Sequence, residues 1–374
     1  MREMASGPFL TPAREDIVAK TADYRLGEFA FPRGWFMIAE ASELQDKPLA
    51  VRFFGNDFAL YRGKSGKVVL LDAYCPHMGT HLAANSTSYV ALDGSHIEGD
   101  NIRCPYHAWR FGPDGVCNQI PYYDRAIPKA ACVRTWQVME RMGAIFAWHD
   151  PEGGEPDYEP PMLEEWDNPG WVRWKFDHLG MLNIHPQEIL DNMTDCHHLG
   201  PVHGSNVQYF RNEFTDHICR QLQGGGHRTL ADPNAILETD TWYTGPGILL
   251  SHQTGIYHAY EIITHTPVDD GVVKVWHGLL AKSAHDVATD EDVAIARASQ
   301  EQARLAFAQD FDVWSNKAPA FNILQVLTEG PFDKGRIWYR QFYNPRARAG
   351  EFTRVVNGVH TVRGMPPSLK MAAE

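Results

Sequence analysis

CPHMGTHL (Cys75–Leu82) and CPYHAWRFG (Cys104–Gly112) place a Cys-x-His and then a Cys-x-x-His in one chain, each cysteine followed by a proline. Two thiols and two imidazoles presented on a pair of tight loops can hold tetrahedral zinc. They can also hold a [2Fe–2S] cluster in which two histidines replace two cysteines on one iron. A chance of packing is the third reading. Zinc ribbons usually repeat one Cys-x-x-Cys knuckle, whereas both knuckles here are mixed. Prolines beside the cysteines suit stiff cluster loops, so the cluster is the favoured reading.

The surrounding texture is β. GWFMIAEA (34–41), PLAVRFFG (48–55), DFALYRG (57–63), KVVLLDAY (67–74) and GAIFAWHD (143–150) are strand-sized runs. Turn signals at Gly55-Asn56-Asp57 and Gly63-Lys64-Ser65-Gly66 separate several of them. This predicts a small all-β domain over residues 30–155 that contains both Cys/His motifs. Residues 1–29 read as a lead-in segment with a short helix, AREDIVAKTADYRL (13–26). A Pro/Gly/Glu-rich connector, PEGGEPDYEPPM (151–162), precedes a second domain over 156–374. There, TWYTGPGILLSHQTGIYHAYEIITHTP (241–267) and VVKVWHGLLAK (272–282) read as antiparallel strands. The stretch from Thr289 to Lys317 reads as a long helix with Thr289 or Asp290 as N-cap. Gly224-Gly225-Gly226 reads as a flexible loop, and the residues beyond Asn344 as polar and structurally uncommitted. The predicted class is α+β.

Composition narrows the function. The formal net charge is −13 over 374 residues, which disfavours a nucleic-acid binder, since that needs a basic surface to displace counterions. The N-terminus shows no apolar run with a cleavage site, and no stretch is long enough for a membrane span. Six cysteines in a chain this long are not a disulfide scaffold. A reducing cytoplasm is the expected compartment.

CPHMGTHL…CPYHAWRFGPDGVC resembles the cluster motif of the Rieske-type non-haem iron oxygenases. The resemblance implies Cys75 and Cys104 on one iron of a [2Fe–2S] Rieske cluster, and His77 and His107 on the other. The chain departs from the family in its spacing, because the 26 residues between His77 and Cys104 exceed the usual gap. NSTSYVALDGSHIEGDN (85–101) is therefore expected to be an inserted, hairpin-like excursion.

The second domain carries another constellation. Read as one helix, EILDNMTDCHHLGPVHG (188–204) puts Asp191, Asp195 and His198 at i, i+4 and i+7 on one face, with Gly200-Pro201 ending the helix before His203. The spacing D-x3-D-x2-H-x4-H resembles the mononuclear-iron motif of the same family, which implies His198 and His203 as iron ligands. His197 is the competing histidine. O2 activation at Fe(II) also needs a carboxylate ligand and open positions. In the long helix Phe307, Asp310, Phe311 and Trp314 share a face, and a carboxylate on an apolar stripe is costly unless paired or metal-bound. Asp310 is thus the expected third ligand, with Asp312 and Asp333 as alternatives. By resemblance, Asp195 links His198 to a Rieske histidine of the next subunit, in a homotrimer.

ILDNMTDCHHLGPVH (189–203), AQDFDVWSNK (308–317) and WYRQFY (338–343) are most similar to the steroid-oxidising branch, the oxygenases of 3-ketosteroid 9α-hydroxylase. The implied fold is a Rieske domain followed by a helix-grip-like catalytic domain, an antiparallel sheet flanked by helices. The implied activity is O2-dependent monooxygenation of a steroid or sterol-like polycyclic substrate. No Gly-x-Gly-x-x-Gly fingerprint is present, so electrons from NAD(P)H must come through a separate flavin and iron–sulfur reductase, with or without a ferredoxin. Two alternatives stay open. One is a Rieske oxygenase acting on another ring substrate by hydroxylation, demethylation or desaturation. The other is an electron-transfer protein without mononuclear iron. Aromatic residues in WYTGPGILL (242–250) and GIYHAYEII (255–263) can line an apolar pocket, though core packing explains them equally well.

Overall fold

The computed structural model describes residues 18–228, 232, 234–255 and 258–366. The chain divides into two compact units. One comprises Trp35–His149 with Glu155–Pro160; the other comprises the residues up to Gly34, Asp150–Gly154, and everything from Pro161 onward.

The first unit is built of short strands: β1 (Gly34–Glu40), β2 (Leu49–Phe53), β3 (Asn56–Arg62) and β4 (Val68–Asp72), with a single helical turn α1 (Tyr89–Leu92). Next come β5 (Ile97–Glu98), β6 (Asn101–Arg103), β7 (Arg110–Phe111), β8 (Cys117–Gln119), β9 (Thr135–Trp136), β10 (Val138–Arg141) and β11 (Ala144–His149). They form three small sheets ordered β1-β11-β10, β2-β3-β4-β9 and β5-β6-β7-β8. The long strands are the runs expected from sequence. Residues 85–101 depart from the expected hairpin: the Ser88 side chain accepts from Ala91 N and starts a helical turn, and only then do β5 and β6 pair as a hairpin.

The second unit holds one large antiparallel sheet: β12 (Trp171–Val172), β13 (Asp177–Leu182), β14 (Ser205–Thr215), β15 (Ile218–His227), β16 (Leu237–Thr244), β17 (Ile248–Thr254), β18 (Ala259–Asp269), β19 (Val272–Lys282) and β20 (Gly358–Thr361). Helices α2 (Pro186–Asp191), α3 (Asp290–Ser315), α4 (Phe332–Arg340) and α5 (Ala349–Val356) complete it. The fold is α+β, as expected. Thr289 caps α3 in a reciprocal capping box with Asp292. Phe307, Phe311 and Trp314 bury the expected stripe of α3 against Ile263, Val273 and Val275 of the sheet. Among the described residues no helix is long and apolar enough to cross a membrane.

Three local expectations need correction. Gly224-Gly225-Gly226 lies inside β15, where β14 bulges towards it between Val207 and Tyr209. A Cβ at position 225 would sit 1.9 Å from the Asn206 carbonyl oxygen, so the glycine permits strand contact rather than loop motion. Beyond Asn344 the described residues include α5 and β20, which pairs with β14, while residues 367–374 lie outside the described residues. Of the expected lead-in helix, Ala13–Ile17 lie outside the described residues, and Thr21–Arg25 form turns. That segment packs within the second unit, where Thr21 Oγ1 donates to Asp270 Oδ1 at 2.9 Å.

Two buried ionic contacts hold this unit. Arg336 of α4 grips Asp191 at the end of α2 through two bonds, of 3.0 and 2.5 Å. Arg336→Met should leave that largely buried carboxylate with the Gln187 amide but no positive charge beside it, and lower unfolding free energy by roughly 3–5 kcal/mol. Urea denaturation would measure this, and the Asp191→Asn/Arg336→Met double variant should recover part of the loss.

His277 of β19, fully buried, donates from Nδ1 to Asp177 Oδ2 at 2.8 Å and from Nε2 to Glu261 Oε1 at 3.0 Å. Burial alone would lower its pKa, but the two carboxylates outweigh burial and raise it from 6.5 to about 9. The folded chain therefore binds this proton more tightly than the unfolded chain does. The resulting stabilisation, on the order of 3 kcal/mol, is complete below pH 6.5 and is lost as pH rises through about 9. The stability difference between wild type and His277→Gln should shrink across that window in urea titrations.

Candidate metal centres

In the first unit, the two motif loops share one construction. Gly79 N donates to Cys75 O at 2.9 Å, and Ala108 N donates to Cys104 O at 3.0 Å. Each loop turns back through a left-handed residue, Gly79 at φ 71° and Ala108 at φ 58°. Cys75 and Cys104 are buried beside each other, while His77 is exposed and His107 half-buried, their rings 4.6 Å apart between centroids. Trp109 stacks on His77 at 4.6 Å. The Cys75 side chain bonds to Cys104; this shared bond pulls the Cys104 thiol down and, together with burial, pushes the Cys75 thiol up, so the pair on its own favours one thiolate beside one thiol. Backbone amides of Tyr106 and His107 also point at the Cys104 sulfur, and that of His77 at the Cys75 sulfur. Amide donors aimed at sulfur favour thiolate. Two buried thiols and two outward imidazoles therefore fit a cluster with sulfur ligands inside and nitrogen ligands outside. Cys117, Cys196 and Cys219 are buried, and Cys132 is exposed.

In the second unit, the predicted single helix over 188–204 is broken. α2 ends at Asp191, a 3-10 turn covers Asn192–Thr194, and Asp195 is extended (φ −97°, ψ 103°). Asp195 Oδ1 accepts from the amides of His197 at 3.0 Å and His198 at 3.3 Å. This side-chain turn competes with the helix and wins. Leu199–His203 then forms a wide π-type turn that includes Gly200 and Pro201, closed by left-handed Gly204. The break separates the three residues read as one face: Asp191 faces Arg336, while Asp195 and His198 belong to the next turn.

The π-turn and α3 bring His198, His203 and Asp310 together, with one ligand atom from each within 4.8 Å of the others. His203 Nε2 lies 3.3 Å from Asp310 Oδ1. Burial would lower the His203 pKa, but Asp310, Gln309 and Glu261 together raise it. The site thus draws positive charge, which a metal cation supplies in place of the proton. Two imidazoles and one carboxylate at the wall of a cavity match a facial iron site with open positions. His203 Nδ1 donates to Gln309 Oε1 at 3.1 Å, which leaves Nε2 for a metal. Sequence reasoning passed over Gln309, whose only signal was its place beside Asp310. His198 Nδ1 stands 3.5 Å from Asp195 Oδ2 and makes no formed hydrogen bond. Burial raises the Asp195 pKa, but His198 and the loop amides outweigh it and hold the carboxyl below its usual range.

The rival residues lie elsewhere. His197 is exposed, with Nε2 2.9 Å from Thr328 O. Asp312 is exposed and bonded to Asn316, and Asp333 is exposed at the start of α4.

The triad lines a cavity of about 610 Å³. Ile189, Met193, Phe307 and Trp314 give it apolar walls, while Gln221, Thr241, Ser251 and Gln253 give it a polar patch. Of the aromatic residues offered from 242–250 and 255–263, Tyr243 lines it. Tyr260 instead stacks on His252 and donates to Glu165, and Tyr257 lies outside the described residues.

Comparison with known proteins agrees with this geometry. Residues 34–137 match the Rieske [2Fe-2S] domain, and residues 147–343 match the 3-ketosteroid 9alpha-hydroxylase C-terminal domain. A probable 3-ketosteroid-9-alpha-monooxygenase oxygenase component from Rhodococcus rhodochrous is 31% identical, over 87% of this chain and 83% of its own length. The cholesterol 7-desaturase of Bombyx mori is 30% identical, over 84% of this chain and 70% of its own length. Among solved structures, a Pseudomonas putida CBB5 NdmA mutant with theobromine shares the fold, with a TM-score of 0.67 at 17% identity, covering 89% of this chain and 97% of that one. With one family model matching more than half of its length and relatives of 30% identity or more over most of it, the chain belongs to the Rieske non-haem iron monooxygenases, in the family of 3-ketosteroid 9α-hydroxylase oxygenase components.

Proposed function

We propose that this chain is the terminal oxygenase of a steroid or sterol monooxygenase. The observation that carries the reading is the His198–His203–Asp310 triad at the wall of a cavity, in a chain that also has the cluster loops. In this reading residues 30–155 form the Rieske domain and 156–374 the catalytic domain, with 1–29 as lead-in. Cys75 and Cys104 hold one iron of the cluster, and His77 and His107 hold the other. His198, His203 and Asp310 hold the mononuclear iron.

Iron bound there supplies O2 activation for insertion of one oxygen atom into a C–H bond, with the cluster as electron store. The chain's own residues set the conditions. Gln309 fixes the His203 ring so that Nε2 faces Asp310. Asp195 orients His198, and it links this site to the partner subunit's His107 in a trimer. Ile189, Met193, Phe307 and Trp314 exclude water and pack flat apolar rings. The polar patch of Gln221, Thr241, Ser251 and Gln253 accepts an oxygen function at one end of the substrate. Electrons come from a separate flavin and iron–sulfur reductase fed by NAD(P)H, and the protein acts in the cytoplasm.

The kinship with a cholesterol 7-desaturase favours one second reading, desaturation of a sterol at the same iron. The triad argues against an electron carrier without mononuclear iron.

Iron analysis and substrate-induced spectroscopy at the mononuclear iron test this reading. The loaded protein should hold three irons per chain, and 3-ketosteroids or sterols should perturb the mononuclear signal where simple aromatic rings do not. Two irons, or a response confined to other rings, would contradict it. Asp310→Ala should keep the cluster spectrum while iron falls from three to two. Gln309→Leu should weaken mononuclear iron binding by about 10–100-fold, as expected when a ligand's supporting hydrogen bond is removed; metal-titration binding curves would measure it.

A further inference from the structure

The cavity wall beside the triad carries a largely buried ionic chain that helps hold the unit together and to which the catalytic reading above gives no step. Glu261 of β18 lines the cavity. Its Oε1 accepts from His277 Nε2 at 3.0 Å, and its Oε2 accepts from Gln253 at 2.8 Å. On the far side, His277 Nδ1 donates to Asp177 Oδ2 at 2.8 Å. Gln300 of α3 donates to the same Asp177 oxygen at 3.0 Å. The His277 side chain has no exposure, while those of Glu261 and Asp177 are 14% and 26% exposed. The chain therefore runs from the cavity, through a sealed imidazole, to a partly exposed carboxylate. The charged groups acting on its outer end are Arg297 and Arg304 near Asp177, and Glu301 near His277, all on α3. Glu261 also acts electrostatically on His203.

We propose that Glu261 delivers a proton to the mononuclear site, with His277 as the positioning residue that stores it and Asp177 as the group that holds the ring in place. The proposal rests on the oxygenase reading. Hydroxylation consumes R–H, O2, two electrons and two protons, and yields R–OH and H2O. The electrons come from the reductase through the cluster. The protons must reach the reacting oxygen while substrate fills the cavity. In the step assigned here, the His277 Nε2–H bond breaks and an O–H bond forms on Glu261. Glu261 then releases that proton from its carboxyl group to the oxygen atom destined for water. The ring is left neutral, with its Nδ1 proton still donated to Asp177. It regains a proton at Nε2 by the reverse route through Glu261, once product leaves and water enters. The couple supplies one of the two protons. A buried histidine between two carboxylates is more than packing requires here, because an apolar residue would fill the same space without desolvating three charges.

The test compares wild type, Glu261→Gln and Glu261→Asp as loaded full-length proteins. In single turnover with the substrate the wild type oxidises, Glu261→Gln should make at least tenfold less product per stored electron and release the missing oxygen equivalents as hydrogen peroxide. Iron supplied in excess should still fill the site, although loss of the carboxylate acting on His203 weakens its binding, substrate affinity should stay close to wild type, and Glu261→Asp should recover most of the product. A second readout does not depend on turnover. With zinc at the mononuclear site and 15N-labelled histidine, the His277 ring should stay doubly protonated at pH 8 in wild type and lose a proton well below that pH in Glu261→Gln. Equal product in Glu261→Gln would overturn the proposal. So would loss of product accompanied by loss of substrate affinity or iron, which would make Glu261 an anchor or a structural group. If wild type oxidises nothing, the oxygenase reading fails and the proposal with it, an outcome distinct from wild-type product matched by the variant.

Discussion

A carboxylate buried on the apolar face of a long helix organises the catalytic unit. Asp310 sits among Phe307, Phe311 and Trp314, where an isolated negative charge is unstable without positive charge beside it. The π-turn of Leu199–His203 answers that demand by placing two imidazoles opposite it. Helix α3 can carry the group so far from its N-terminus, roughly 30 Å along the axis, because the Thr289–Asp292 box fixes where the helix begins. The stripe then sets its rotation against β18 and β19. Helix, sheet and turn converge on a site whose charge balance calls for a cation.

The chain before the π-turn is shaped by the same demand. A straight helix from Glu188 to Gly204 would have put Asp195 and His198 on one continuous face with Asp191. Asp195 caps the amides of His197 and His198 instead, and the backbone turns there. That break lets Asp191 pair with Arg336 and anchor α2, while His198 and His203 swing to the cavity. The residue that breaks the helix thus also stands beside His198, the candidate ligand, with its Oδ2 3.5 Å from His198 Nδ1.

Much of this was legible in the residues. The Cys/His loops, the long strands, the capped helix and the buried Asp310 follow from spacing, turn chemistry and the cost of burying charge. Other features were not, because they depend on partners distant in sequence. Gln309 matters only because His203 lies across from it, 106 residues away. Gly224–Gly226 looks like a loop until the bulge of β14 is placed against it. Glu261, His277 and Asp177 lie on three strands, and nothing near any one of them in sequence announces the other two. The polar patch of the cavity was hidden for the same reason: alternate residues of β15, β16 and β17 form it together.

The central claim is that one chain joins an electron store to an O2-activating iron beside a substrate cavity. Single turnover under 18O2 tests it most directly. The loaded protein is reduced chemically without its reductase and mixed with 3-ketosteroids, sterols and aromatic rings. O2 is admitted, and the products are weighed by mass spectrometry. The account predicts a steroid or sterol product carrying one 18O atom, in an amount limited by the electrons stored in the protein. Reduced, iron-replete protein that reoxidises without oxidising any member of the panel would contradict it.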